Sequence, residues 1–406
     1  MNWIGAERLE ALLAAIARTR VLLVGDLCLD AYWYADMTRS ELSRETPRFP
    51  LPVIREAYSP GGAANVAANL AALGVGQVQA LGVLGHDWRG DLLARELAAR
   101  GIDLAYVLRS SLRTTPTYIK PIRQGYGGVQ QEDSRIDFQD HTPLPSDLED
   151  SVIAALADAF PQAQAVVVGD QLDPGLVTPR VRAALEALAT HHPNVPCVVD
   201  SRKHIGAFQK MILKPNELEL ARALGAAQPD ASDMEAVSGM GQTLAQRSGR
   251  PCFVTLGARG ALLCYADRSV HLPAAPVRPP LDIVGAGDAF LAAVGAALGA
   301  GASYEEAGAL GNLAAAVVVE KLQQTGTATP DEVRERLEMA RQPCVPEVLA
   351  GPSIHSSTRP WLPRATTPNW SVSLFSRRTQ PATRKISPDL AGTLRSAATD
   401  QSCAPV

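Results

Sequence analysis

The sequence predicts an α/β protein: a doubly wound, mainly parallel sheet with helices on both faces, plus a small β-lid. Two observations carry that expectation. Short, continuous β-branched runs alternate with longer stretches at helical spacing, and apolar strands between helices mark a parallel sheet covered on both sides. Asp26, Asp170, Asp200 and Gly257 each fall at the end of such a run. Those are the strand ends beyond which open α/β sheets bind ligands.

Residues 1–20 mix Glu7, Arg8 and Glu10 with apolar positions, which reads as a surface helix and not as a signal peptide. Residues 21–26 read as a buried strand, 65–73 as an Ala-rich helix, 79–84 as a strand and 88–100 as a helix. Residues 165–170 form the next strand, followed by a helix through Leu188. Residues 196–200 and 252–256 are strands, and the chain is helical from Asp288 and over 304–321. Residues 32–59 and 114–138 break the alternation with Pro, Thr, Tyr and Gln, and read as the lid. These pieces make one domain, 1–340. Residues 341–406 carry eight Lys and Arg against three Asp and Glu, are rich in Pro, Ser and Thr, and lose periodicity. That composition belongs to a disordered tail.

Composition excludes several classes of protein. The 406 residues are 46% hydrophobic and 20% charged, as in globular proteins. Aromatics at 5% and a net charge of −4 argue against a nucleic-acid partner. The six cysteines form no C-x-x-C pair, which points to reduced, buried thiols and not to a zinc site. The longest apolar run, 289–302, is short of the roughly 18–20 residues that a spanning helix needs. A cytoplasmic protein without a membrane partner is expected.

Four segments carry chemistry. In residues 282–290 a Gly285-Ala286-Gly287 turn opens into a helix. Its free N–H groups and dipole make an anion hole, with Asp288 placed to take a proton. The plainer alternative is that Asp288 only caps the helix. Gly61 and Gly62 precede a helix on which Asn65 and Asn69 share a face, an arrangement suited to a polyol. The alternative is a tight helix contact with the amides in solvent. Asn216 and Glu219 could hold a hydrated Mg²⁺, or merely cap a helix. Thr255, Gly257 and Gly260 form a turn able to carry nucleotide phosphates, or a β-hairpin.

In this order the four segments resemble the ribokinase-like (PfkB) family of ATP-dependent carbohydrate kinases, over roughly residues 21–341. The resemblance implies that Asp288 is the catalytic base, with Gly285, Ala286 and Gly287 as the anion hole. It implies that Asp30, Gly61, Gly62 and Asn65 bind the sugar, and that Asn216 and Glu219 serve Mg²⁺ and phosphate. Thr255, Gly257 and Gly260 would line the ATP site, with Asn312 and Gly326 near the adenine. ATP and Mg²⁺ are the implied cofactors, a monovalent cation is left open, and a homodimer through the lid is implied.

Within the family, residues 25–33, 44–53, 116–120 and 130–138 resemble kinases acting on heptose 7-phosphate in lipopolysaccharide-precursor synthesis. Lys120 and Arg135 are then cations for a sugar phosphate. Gln171-Leu172-Asp173 and Asp200-Ser201-Arg202 depart from that pattern, and an aperiodic tail follows where a nucleotidyltransferase domain is often fused. Another acceptor (a ketohexose, a ribose-type sugar or a nucleoside) and a non-catalytic sugar- or nucleotide-binding regulator are the alternatives. An intact Asp288 argues against the last.

Overall fold

The computed structural model describes residues 4–229, 233–322 and 325–341, so the expected tail lies outside them from residue 342 on. Nine strands form the main sheet: β1 (Arg20–Gly25), β4 (Gln77–Gly85), β5 (Asp103–Ser110), β9 (Ala165–Asp170), β10 (Cys197–Ser201), β11 (Ile212–Leu213), β12 (Cys252–Thr255), β13 (Ala261–Cys264) and β14 (Ser269–Leu272). Their spatial order is β14-β13-β12-β11-β10-β9-β1-β4-β5. All neighbours pair parallel except β12–β13 and β13–β14. The chain leaves β1 toward β4 and β5, then returns on the other side at β9. The switch point therefore lies between β1 and β9, where a crevice opens beyond the strand ends.

Alternation along β1 explains why its whole run is apolar. Val21 and Leu23 pack with α1 (Ala6–Ile16), α2 (Ala63–Ala72), α3 (Trp88–Ala98), α8 (Ala286–Gly299), α9 (Tyr304–Val318) and α10 (Pro330–Arg341). Leu22 and Val24 face the opposite layer, α4 (Ser146–Ala159), α5 (Pro179–His191), α6 (Glu217–Leu224) and α7 (Met234–Ser248). Burying such a side chain contributes roughly 1.5–3 kcal/mol, so neither face tolerates a polar residue. The small side chains of α2 and α8 let these helices pack closely under the switch point, and both are buried along most of their length. Among the described residues no helix is long and apolar enough to cross a membrane. Cys28, Cys197, Cys252 and Cys264 are free and buried.

The lid is a second sheet, β3 (Val53–Gly62), β2 (Leu27–Asp36), β6 (Thr117–Gln124) and β7 (Gln130–Glu132), with β8 (Ile136–Phe138) also on β6. Its strands run further toward the core than residues 32–59. β2 begins one residue after β1 stops, and Leu27 pairs with Gly62 at the root. Asp30, Gly61 and Gly62 consequently belong to lid strands. Gly62 adopts φ +54°, and a Cβ there would lie 2.9 Å from the Asp26 carbonyl oxygen and the Cys28 Sγ. Only glycine makes that turn from β3 into α2.

Candidate active site

The N-terminus of α8 sits at the crevice. Gly285 is its N-cap at φ +81°, and a Cβ there would come 3.2 Å from Asn65 Nδ2. Gly287 and Asp288 occupy the first turn, where helical geometry leaves N–H groups without intrahelical partners. Asp288 is therefore not the cap, and its carboxylate is free for another task. It accepts from Asn65 Nδ2 at 2.7 Å. Asn69 Nδ2 in turn donates to the Asn65 carbonyl (2.9 Å) and Oδ1 (3.1 Å). Both amides are buried, which removes the solvent-facing alternative. Asn65, expected on the sugar, thus spends its amide on Asp288 and Asn69. Burial pushes the Asp288 pKa up to about 6; the Asn65 hydrogen bond opposes the rise and nearby Asp200 adds to it.

The lid contributes a second carboxylate. Register pairs Asp30 with Tyr118 and Tyr32 with Lys120, so all four share one face of the lid. Thr325 Oγ1 donates to Asp30 Oδ2 at 3.2 Å and also contacts Ser59 Oγ at 3.2 Å. A Cβ on Gly61 would lie 2.7 Å from Asp30 Oδ1, so this glycine makes room for the carboxylate. Burial raises the Asp30 pKa, with Lys120 opposing. Lys120 Nζ donates to Tyr32 Oη at 3.2 Å. Burial opposes its charge, but Tyr32, Asp30 and Glu132 outweigh that and raise its pKa. Arg135 is held by Asp137 at 2.6 and 2.7 Å and stacks on Tyr118. A cavity of about 230 Å³ between lid and main domain is lined by Tyr32, Lys120, Gln130, Glu132, Asp282 and Val284.

The segments expected to serve the nucleotide lie on β11, α6 and the β12–β13 turn. Asn216 Oδ1 accepts from the Glu219 N–H (2.9 Å), and Glu219 Oε2 accepts from the Asn216 N–H (2.8 Å). The pair forms a capping box, so the helix-cap alternative is realised and occupies part of both side chains. Burial, with Asp200 adding, raises the Glu219 pKa. No group of three or more His, Cys, Asp or Glu among the described residues could hold a metal. That donor set fits Mg²⁺ held through its own waters and nucleotide phosphates, and does not fit a protein cage.

The β12–β13 segment is indeed a hairpin, with the Leu256 N–H on the Gly260 carbonyl at 2.8 Å and Gly257 opening its turn. Thr255 bridges to Asn216, which joins the hairpin to α6. Asn312 donates to the carbonyls of Leu272 (2.9 Å) and Pro273 (3.0 Å), tying α9 to the end of β14. The Gly326 carbonyl accepts from Asn69 Nδ2 at 3.4 Å. Gly326, expected near the adenine, therefore lies against α2, next in sequence to the Thr325 that holds Asp30.

The sequence placed Asp26 at a strand end without giving it a task, and it singled out no role for Lys214. The buried Asp26 carboxylate accepts from the N–H groups of Gln171 (2.9 Å), Leu172 (2.8 Å) and Leu176 (2.7 Å). Burial still lifts its pKa to about 6. Lys214 is buried with its Nζ 3.2 Å from Asp200 Oδ2. The signal for both was position: each stands at or just past the end of a buried apolar run.

A helix N-terminus at the switch point, a half-buried acid beside it and a lid carrying a second acid make a crevice with the chemistry to meet an anion and a hydroxyl side by side. Residues 19–332 match the pfkB family carbohydrate kinases, and the chain belongs to that family. The bifunctional protein HldE of Geobacter metallireducens is 32% identical over 333 residues, covering 80% of this chain and 64% of that protein. The bifunctional protein HldE of Halorhodospira halophila is 35% identical over 328 residues, covering 78% of this chain and 63% of its own length. The chain spans a little under two thirds of these relatives. Phosphofructokinase-2 from Escherichia coli in complex with potassium superposes with a TM-score of 0.61 at 21% identity, over 80% of this chain and 100% of that one. Ribokinase of Arabidopsis thaliana complexed with ribose and ATP gives 0.57 at 21%, over 80% and 99%. These two share the ribokinase-like fold with this chain.

Proposed function

We propose that this kinase transfers the γ-phosphoryl group of ATP to a hydroxyl of a sugar phosphate, with heptose 7-phosphate as the acceptor. The observation that carries the transfer is Asp288, half-buried at the first turn of α8 and held by Asn65 with a pKa near 6. A carboxylate so poised is ionised at neutral pH yet basic enough to accept the acceptor's proton. The N–H groups of the first turn face the charge that develops on the phosphoryl oxygens. Asp30 orients the acceptor through its hydroxyls. Lys120, on the same face of the lid as Asp30, meets the acceptor's own phosphate, and the likeness of the lid stretches to heptose 7-phosphate kinases supports that assignment. Mg²⁺, held through water near Glu219, would neutralise charge on the nucleotide phosphates.

The test is an ADP-release assay with Mg·ATP across a panel of heptose, hexose and pentose phosphates, free sugars and nucleosides. Turnover of heptose 7-phosphate well above the rest is expected. Good turnover of a neutral sugar or a nucleoside, with none of any sugar phosphate, would replace this acceptor by another.

A further inference from the structure

We propose that the chain carries a second ligand site, at the opposite ends of the strands from the crevice, which takes a small organic phosphate: a phosphate monoester on a compact apolar body. A cavity of about 300 Å³ opens there, between the starts of β10 and β11 and the turn from α8 into α9. That is the size of a small-molecule pocket. Pro196, Ile212, Leu298 and Ala302 give it an apolar wall, and Lys210 and Arg250 bring two cations to it. No residue of this cavity belongs to the crevice or to the four segments that resemble a kinase.

Both cations have donors to spare. Among the described residues neither pairs with a carboxylate, and the guanidinium of Arg250 makes one hydrogen bond, Nη2 to the Pro193 carbonyl at 3.3 Å. Lys210 is also the only described residue other than glycine with a left-handed backbone, at φ +63°. Glycine adopts that conformation at no steric cost, whereas an L side chain is disfavoured. The sequence therefore keeps a long cation where glycine would fold more readily. The Lys210 N–H donates to the Ser248 carbonyl at 2.7 Å, and Nζ lies 3.9 Å from where a Cβ on Gly249 would stand. The plainer alternative is that this ammonium only offsets the negative end of α7. Arg250 is not explained that way, because its guanidinium reaches across to Pro193 on the cavity wall. Glu305, the one carboxylate of the lining, already accepts from Tyr265 Oη at 2.9 Å. Two cations against one engaged carboxylate leave the cavity positive in a chain of net charge −4. A phosphate monoester brings about two negative charges at neutral pH, one for each cation.

Phenyl phosphate is the probe, titrated by calorimetry into the full chain with Mg·ADP present. Benzoate, which keeps the ring with a single charge, and phenol, which has none, are titrated beside it. The parent should bind phenyl phosphate at least about tenfold more tightly than benzoate, and phenol not measurably. Arg250→Met should weaken phenyl phosphate by at least about tenfold, the scale of one charge-assisted hydrogen bond. Lys210→Gly should weaken it as much while melting no lower than the parent, since the left-handed backbone is then unstrained. A lysine needed only to offset α7 would lower the melting temperature and leave the affinity alone, which overturns its role here. Glu305→Gln removes the opposing charge and should tighten the probe severalfold, a gain that a misfolded variant would not give. Parent affinity in the double variant Lys210→Gly, Arg250→Met means that the probe sits only in the acceptor crevice and overturns the site, as does a parent that binds no probe. Benzoate bound as tightly as phenyl phosphate overturns the assignment to a phosphate.

Discussion

Asp288 holds its proton up to about pH 6 because burial outweighs the Asn65 hydrogen bond. Only the carboxylate form accepts a proton, so kcat should rise with pH through about 6 and level off above it. Stability runs the other way. The ordinary value for this group is 3.8, so between about pH 4 and 6 the folded chain keeps a proton that the unfolded chain has released. The stabilisation this gives is complete below the ordinary value and is lost as pH rises through 6. Above that, the buried charge costs on the order of 1–3 kcal/mol. Asp288→Asn removes charge and base together. Its kcat should fall by at least about 10²-fold, while its melting temperature should exceed the parent's at pH 8 and match it at pH 4. A variant that turns over at the parent rate removes Asp288 from the chemistry. The Gly-Ala-Gly-Asp pattern made this residue legible from sequence. Asn65 was half legible: the pattern shows an amide near the site but not which of two neighbours it reaches.

At two elements the structure realises the plainer of the alternatives the sequence offered, a helix cap and a hairpin. The Asn216–Glu219 spacing caps α6, and the phosphate role proposed for it would use the same first turn. The Thr255–Gly260 segment is likewise a hairpin turn, joined to α6 through the Thr255–Asn216 bridge. Sequence reading offered these as alternatives because a cap, a hairpin and a phosphate-binding turn share the same residue types at the same spacing. Gly285 and Lys120 test the elements that hold the site. Gly285→Ala forces a Cβ onto a left-handed residue, 3.2 Å from Asn65 Nδ2. The fold should persist, measured by circular dichroism, and kcat should drop at least about tenfold as Asn65 shifts away from Asp288. Lys120→Met keeps much of the stem in strand β6 and deletes the charge. KM for a sugar phosphate should rise about tenfold or more, with KM for ATP unchanged. Equal kinetics would clear Lys120 and turn attention to Arg202, whose field also reaches Asp30.

At the scale of the whole molecule, the lid leaves much apolar surface in water. Phe49, Ile54, Tyr126, Val129 and Ile136 are all more than 40% exposed. An apolar concentration of that kind marks an interaction surface, and a second copy of this chain docked lid to lid is the occupant expected from the family resemblance. Light scattering should report a dimer, and Ile54→Glu should shift it toward monomer. A monomeric parent would end that expectation. The lid's existence was legible from its broken periodicity, but its roots were not. Residues 27–31 fell between the core strand read over 21–26 and the lid read from 32, and only pairing in space shows that they belong to the second sheet. The change happens at one residue. The Asp26 N–H donates to the Gly169 carbonyl in β9, its own carbonyl accepts from the Ala63 N–H at the start of α2, and its carboxylate latches residues 171–176. Mechanically, Asp26 is a shared joint. The root of the lid, the 171–176 loop and the first turn of α2, the helix that carries Asn65, are all tied to that one residue.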